Sequence, residues 1–308
     1  MKFIELFAGI GGFRLGLEKA GHKCVWANEF MPKAASIYEY NFGDKPDGRD
    51  IRTIHVDEIP SADLLVGGFP CATFSIAGKR TGFGTEDARG TLFFEICRIL
   101  SGKQIPYVFL ENVKGLLNHD NGRTFGVIIA SLDELGYDLQ WECINSKNFG
   151  VPQSRERVFI IGHLRGKPRP KIFPLGKCYA EDSFQDREEQ SFKQRLWSKG
   201  NISIGTLCHR LYKGDTNNFY IDESFGREAG NNKSNEQNGR GREKTNGSSV
   251  LNLRQITPLE CERLQSLPDD WTKWYADGSV VPDSQRYERC GRAVTVNVIY
   301  EIAKRFPL

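Results

Sequence analysis

Three side-chain types fall where a chain can use them. Cys71 closes Gly67-Gly68-Phe69-Pro70-Cys71, after the apolar run Leu64-Leu65-Val66. Glu111 opens Glu111-Asn112-Val113, directly after Tyr107-Val108-Phe109-Leu110. Arg155 and Arg157 stand two apart in Gln153-Ser154-Arg155-Glu156-Arg157, ahead of the apolar Val158-Phe159-Ile160-Ile161. Singly, each has an ordinary explanation. A free cysteine is usually a small buried hydrophobe, and a carboxylate after an apolar run often sits at a helix N-terminus. Two arginines at i and i+2 point the same way from any extended segment, with a phosphate, a base carbonyl or Glu111 itself as open targets. A glutamate after four apolar residues is costly to bury unpaired, and burial raises its pKa toward use as an acid.

In conjunction these groups suit one chemistry well, though not uniquely. Carbon 5 of a pyrimidine is a poor nucleophile. Adding a thiolate to carbon 6, with a proton given to ring N3, makes carbon 5 enamine-like and able to accept a methyl group from a sulfonium donor. Loss of the carbon 5 proton then expels the thiolate.

Such a donor needs a nucleoside pocket. The run Phe3-Ile4-Glu5-Leu6-Phe7 ends in the turn Gly9-Ile10-Gly11-Gly12, and Glu29 stands 20 residues after Gly9, behind Cys24-Val25-Trp26-Ala27. Ligands of open parallel sheets bind beyond the strand C-termini, where glycine lets backbone approach and an acid accepts from ribose hydroxyls. The spacing is not that of dinucleotide sites, because Gly12 follows Gly11 directly. Ala72 to Gly90, rich in glycine and polar residues, reads as a loop able to close over a substrate.

The elements that must position these groups alternate. The five apolar runs are of strand length, a helix is expected from about Phe13 to Ala20 with Gly21 as its C-cap, and another from Val127 to Leu135, stopping at Gly136. Strands separated by helices predict βαβ units and a mostly parallel sheet covered on both faces. After about residue 166 the pattern fails. Residues 226–249 hold five Gly, five Asn and three Ser with no V, I, L, M, F, W, Y or C, the composition of a loop. Pattern returns at Thr257-Pro258-Leu259-Glu260, which spells an N-cap, a proline at N1 and a capping box, and Val294 to Phe306 leads into a last amphipathic helix.

Composition sets the bounds. A chain of 308 residues, 39% hydrophobic and 26% charged, is that of an ordinary globular protein of about two domains or one with a large insertion. No apolar run approaches the ~20 residues of a membrane helix, and no signal-peptide layout follows Met1. The eight cysteines include no Cys-x-x-Cys pair, so no metal site is expected and reduced thiols in a cytoplasm-like compartment are. The net charge of +3 divides unevenly: 17 basic and 11 acidic residues in 165–254 give +6, leaving −3 elsewhere, which points to a polyanionic partner met by that segment.

The ordered set Phe7-Ala8-Gly9-Ile10-Gly11-Gly12, Glu29, Asp50-Ile51, Gly68-Phe69-Pro70-Cys71, Arg89-Gly90-Thr91-Leu92-Phe93-Phe94, Glu111-Asn112-Val113, Gln153 to Arg157 and Thr257 to Cys261 resembles the DNA (cytosine-5)-methyltransferase family, in particular its short bacterial and phage modification enzymes. The likeness spans nearly the whole chain except about 177–250, where that family keeps its variable target-recognition segment. It implies an α/β, Rossmann-like, S-adenosylmethionine-dependent catalytic domain (1–176 with 286–308) and a smaller, irregular, mostly β target-recognition domain (177–285). It implies S-adenosylmethionine lined by Phe7, Gly9, Gly11, Pro70 and Val294, with Glu29 on the ribose, Phe30 on the adenine face, Asp50 and Ile51 at the adenine edge and Leu92 closing the pocket. It implies Cys71 as nucleophile, Glu111 at cytosine N3, Arg157 at the base carbonyl, Arg155 supporting the active-site loop, and a flipped base. Ser75, Lys79 and, by a looser match, Thr206 would contact double-stranded DNA. The expected setting is a monomer in the cytoplasm at the nucleoid, with room for a separate cognate restriction endonuclease. A transfer-RNA cytosine methyltransferase and a catalytically weakened DNA-binding relative are the alternatives. Two departures stand out: Ala72 where the family usually has Gln, and Arg292 where its pattern is Gly-Asn-Ala-Val, a change expected to lower catalysis without unfolding the chain.

Overall fold

The computed structural model describes residues 1–70, 91–175, 220–222 and 253–307. Six strands form one sheet: β1 (Lys2–Leu6), β2 (Lys23–Asn28), β3 (Leu64–Gly68), β4 (Tyr107–Val113), β5 (Tyr137–Asn145) and β6 (Glu156–Leu164), in the order β2-β1-β3-β4-β6-β5. The helices are α1 (Gly12–Lys19), α2 (Pro32–Phe42), α3 (Thr91–Lys103), α4 (Arg123–Glu134), α5 (Pro258–Leu264), α6 (Asp283–Arg292) and α7 (Val296–Ala303). A two-stranded pair, β7 (Tyr220–Asp222) with β8 (Leu253–Gln255), is what is described between residues 176 and 255.

The period of two in the apolar strands serves two cores, one on each face. Ile4, Leu6, Leu65, Val108, Leu110, Val158 and Ile160 face one side, where α3 adds Phe93, Ile96 and Ile99 and α4 adds Ile128 and Leu132. Phe3, Val66, Phe109, Phe159 and Ile161 face the other, under Phe13 and Leu17 of α1 and Val298, Ile299 and Ile302 of α7.

The expectation of βαβ units holds for β1 to β4, which pair in parallel, and stops there. A further strand, β5, forms where sequence reasoning found none, and β6 runs antiparallel to both β4 and β5. The reversal matters for the site. It brings the N-terminal end of β6, with Arg157 opposite Val113, to the edge where β1, β3 and β4 end.

The C-terminal segment packs as one with the glycine turn. Thr257 caps α5, its hydroxyl accepting from Glu260 N (3.2 Å) while Glu260 Oε2 accepts from Thr257 N (2.7 Å). Ile256, Leu264, Trp271 and Val281 share a core with Ile10, Ile37 and Val296, and Trp271 Nε1 donates to Ile10 O at 2.8 Å. This core draws on residues before and after 286, among them Val281 and Cys290.

Candidate active site

Glu111 lies on β4 directly opposite Gly68, the last residue of β3. A Cβ on Gly68 would come within 3.2 Å of Glu111 Oε2, so the missing side chain makes room for the carboxylate. Arg157 Nε sits 3.1 Å from Glu111 Oε1, and the two side chains are only 14% and 12% exposed. Burial pushes the Glu111 carboxyl above the usual range, against the pull of Arg157 and Arg155. The result is an acid that keeps its proton more readily than a surface glutamate and opens toward the sheet edge.

Arg155 goes elsewhere. It is 3% exposed, and its Nη1 and Nη2 donate to Gly291 O (3.1 Å) and Ala293 O (2.8 Å). So the two arginines do not act as one clamp. Arg157 meets the acid, and Arg155 ties the start of β6 to the turn between α6 and α7.

Asn112 has a role the sequence did not signal: it is 2% exposed, and its Nδ2 donates to Phe69 O at 2.9 Å, fixing the backbone two residues before Cys71. Cys71, Ser75, Lys79 and Thr206 lie outside the described residues, as do the Ala72–Gly90 loop and the 226–249 stretch. Pro70 is exposed at the sheet edge.

Two strands across, β1 ends in a left-handed turn: Phe7 at φ 55°, Gly9 at 58° and Gly11 at 83°. A Cβ on Gly11 would lie 2.2 Å from the Phe42 ring, so α2 and the turn pack backbone to side chain. Nothing lies within 4 Å of where a Gly9 side chain would start. Glu29, 8% exposed, borders this opening. Its Oε2 accepts from Gly9 N (2.7 Å) and its Oε1 from Met31 N (2.8 Å), while burial pushes its carboxyl up despite both amides. Phe30 beside it is 62% exposed.

The loop expected at an adenine edge is pinned by Asn28, whose Nδ2 donates to Asp47 O (2.8 Å) and Arg49 O (2.9 Å). Asp50 caps the following 3-10 turn and pairs with Arg52 at 2.5 Å. Ile51 is 2% exposed with its side chain in the core, and its carbonyl accepts from Arg98. Leu92 packs against the same core, and Val294 is buried in the core under α1.

An open glycine turn, a buried acid and an exposed aromatic stand together at the ends of β1 and β2. A buried acid–guanidinium pair on β4 and β6 stands about 10 Å away at ordinary strand spacing. Both groups lie at the C-terminal edge of the parallel strands, where open α/β sheets bind their ligands. The family model for C-5 cytosine-specific DNA methylases matches residues 1–307. The chain is 53% identical over 327 residues to the Type II methyltransferase M.HaeII of Haemophilus aegyptius (98% of this chain, 91% of that protein) and 36% identical over 328 residues to M.HhaI of Haemophilus parahaemolyticus (98% and 93%). The chain belongs to the C-5 cytosine-specific DNA methylases and is an enzyme of that class. The S. pombe Dnmt2 methyltransferase shares its fold at 21% identity and TM-score 0.66, covering 98% of this chain and 97% of that one. The transfer-RNA alternative is not favoured, since the family model that matches is that of DNA methylases.

Proposed function

We propose that the enzyme methylates carbon 5 of cytosine within a specific double-stranded DNA sequence, drawing the methyl group from S-adenosylmethionine. The observation that carries this reading is the buried Glu111–Arg157 pair on β4 and β6, set beside Gly68 at the end of β3, three residues before Cys71 in the chain. The ends of β1 and β2 fit the donor by their own features: open space over Gly9, a buried Glu29 and an exposed Phe30. Gly9 and Gly11 would let backbone meet it, Glu29 would hold its ribose and Phe30 its adenine, with Phe7, Asp50, Ile51, Leu92, Pro70 and Val294 bounding the pocket. Bound S-adenosylmethionine supplies an electrophilic methyl group on a sulfonium.

The chain's own residues do the rest. Cys71 adds through its thiolate to carbon 6 of a flipped cytosine. Glu111, kept protonated by burial, gives its proton to N3 as the electrons arrive there. Arg157 holds the pair of Glu111 and the base carbonyl in one plane, and Arg155 fixes the turn at 291–293 beside them. Once carbon 5 carries the methyl group, a solvent base takes its proton, the electrons re-form the carbon 5–carbon 6 double bond and expel the Cys71 thiolate, and N3 returns its proton to Glu111. Ser75, Lys79 and Thr206 would contact DNA from the segments flanking the site. The target-recognition domain would run from about 177 to 252, with 1–176 and about 256–308 as the catalytic body, acting as a monomer on DNA in the cytoplasm at the nucleoid. The Type II names of the relatives favour a separate companion restriction endonuclease.

Labelled S-adenosylmethionine with duplex DNA tests the reading, with methylated cytosines located by sequencing. Duplex containing 5-fluorocytosine should trap a covalent adduct with the parent chain and none with Cys71→Ser. Label incorporated into transfer RNA but not DNA would overturn it.

A further inference from the structure

Helix α6 carries arginines at 286, 289 and 292 whose surroundings differ sharply. Arg286 is met by Glu262 at 3.0 Å, Asp270 at 3.6 Å and Asp283 at 3.9 Å. Arg292, half exposed, pairs with Glu288 at 2.8 Å. Arg289 is 5% exposed and has no carboxylate within ion-pair distance among the described residues. Its Nε is buried without a hydrogen-bond partner, and its Nη1 reaches only Met31 Sδ at 3.8 Å. A buried guanidinium normally finds an anion.

The surroundings say where that anion would come from. Arg292 Nη1 approaches the same Met31 Sδ at 3.7 Å, so two guanidinium groups converge on one residue at the open lip, 39% exposed. The Tyr275 hydroxyl, a second buried donor without a partner, lies within reach of the Arg289 charge. Glu29 feels both charges, but its carboxylate accepts from the Gly9 and Met31 amides and stands beyond ion-pair distance of either arginine. Arg155, by gripping the 291 and 293 carbonyls, couples this edge to the strand that carries Arg157.

We propose that Arg289, with Arg292 beside it, is a phosphate site for the DNA strand, at the lip between the donor cradle and the base site. A nucleotide turned toward Glu111 brings its flanking phosphates to this rim, and guanidinium forks match phosphate oxygens. The inference rests on the DNA reading above. On it, Arg292 is a binding group and not a lesion.

The test compares the parent with Arg292→Gln and Arg289→Gln, measuring affinity for a duplex oligonucleotide across a salt series. Affinity for S-adenosylhomocysteine is measured without DNA. Each variant should bind duplex more weakly, and its plot of log affinity against log salt should be shallower by about one. Affinity for S-adenosylhomocysteine should stay as in the parent. An unchanged slope in Arg292→Gln, whose exposed side chain can be replaced without unfolding, overturns the proposal even if Arg289→Gln fails to fold. Loss of S-adenosylhomocysteine affinity with an unchanged slope also overturns it, assigning the arginines to the donor's carboxylate. A parent that binds no duplex would sink the DNA reading itself, a result distinct from either.

Discussion

Glu111 is held between two opposing pulls, burial raising its pKa and Arg157 lowering it. As a proton donor it works only while protonated, so activity should fall as pH rises through its folded value, which lies above the ordinary 4.5. Arg157→Met removes a group that lowers that value, so the descending limb of the pH–rate profile should move to higher pH, whatever happens to its height. A limb that stays in place would show that another group sets it. Glu111→Gln should lower kcat by about 10²- to 10⁴-fold with little change in melting temperature. Glu111 and Glu29 stand out in the sequence through their conjunction with Cys71 and the glycine turn, since an acid after an apolar run has by itself an ordinary explanation at a helix N-terminus. Asn112 is not, since its partner is a carbonyl 43 residues away, and neither is the tie from Trp271 to Ile10.

At the scale of elements, strand β1 carries a buried acid of its own. Glu5 is 1% exposed, accepts from the Tyr38 hydroxyl at 3.3 Å, and is pushed up to about 8 by burial, with the charge of Arg14 pulling the other way. Between about 4.5 and about 8 the folded chain keeps this proton and the unfolded chain has lost it. Stability should therefore fall with rising pH across that window, at up to ~1.4 kcal/mol per pH unit. Glu5→Gln should flatten that decline in urea titrations at several pH values. Thr257→Ala removes the α5 cap and should cost ~0.5–2 kcal/mol by the same measurement. The cap was readable because its parts are four adjacent residues. The direction of β6 was not, because a strand buried on both faces reads as the same apolar run whichever way it points. Strand β5 was legible, since Tyr137-Asp138-Leu139-Gln140-Trp141-Glu142-Cys143 alternates apolar and polar residues, but a reading by continuous apolar runs passes over it.

At the scale of the molecule, charge and packing are spread unevenly along the chain. The excess of +6 lies in 165–254, and the segment from Ile256 onward returns to the core around Ile10. Exchanging residues 177–252 for the matching stretch of a relative should change which cytosines are methylated while leaving S-adenosylhomocysteine affinity unchanged. An unchanged target sequence would place base reading elsewhere. The expected return at 286 leaves residues 256–285 with the inserted segment. What they supply is a floor under the glycine turn, visible only in three dimensions.

His22 links the two extremities of the fold: its Nδ1 is 3.3 Å from the Met1 nitrogen and its Nε2 3.1 Å from Ala303 O. The order in which the gene spells the catalytic body is therefore not imposed by the architecture. A chain opened near residue 250, with residue 307 joined to residue 1 by a linker of a few residues, should fold to the same sheet and methylate the same sites. The C-terminal fifth would then be synthesised first, and the floor under the glycine turn would be waiting when that turn arrives.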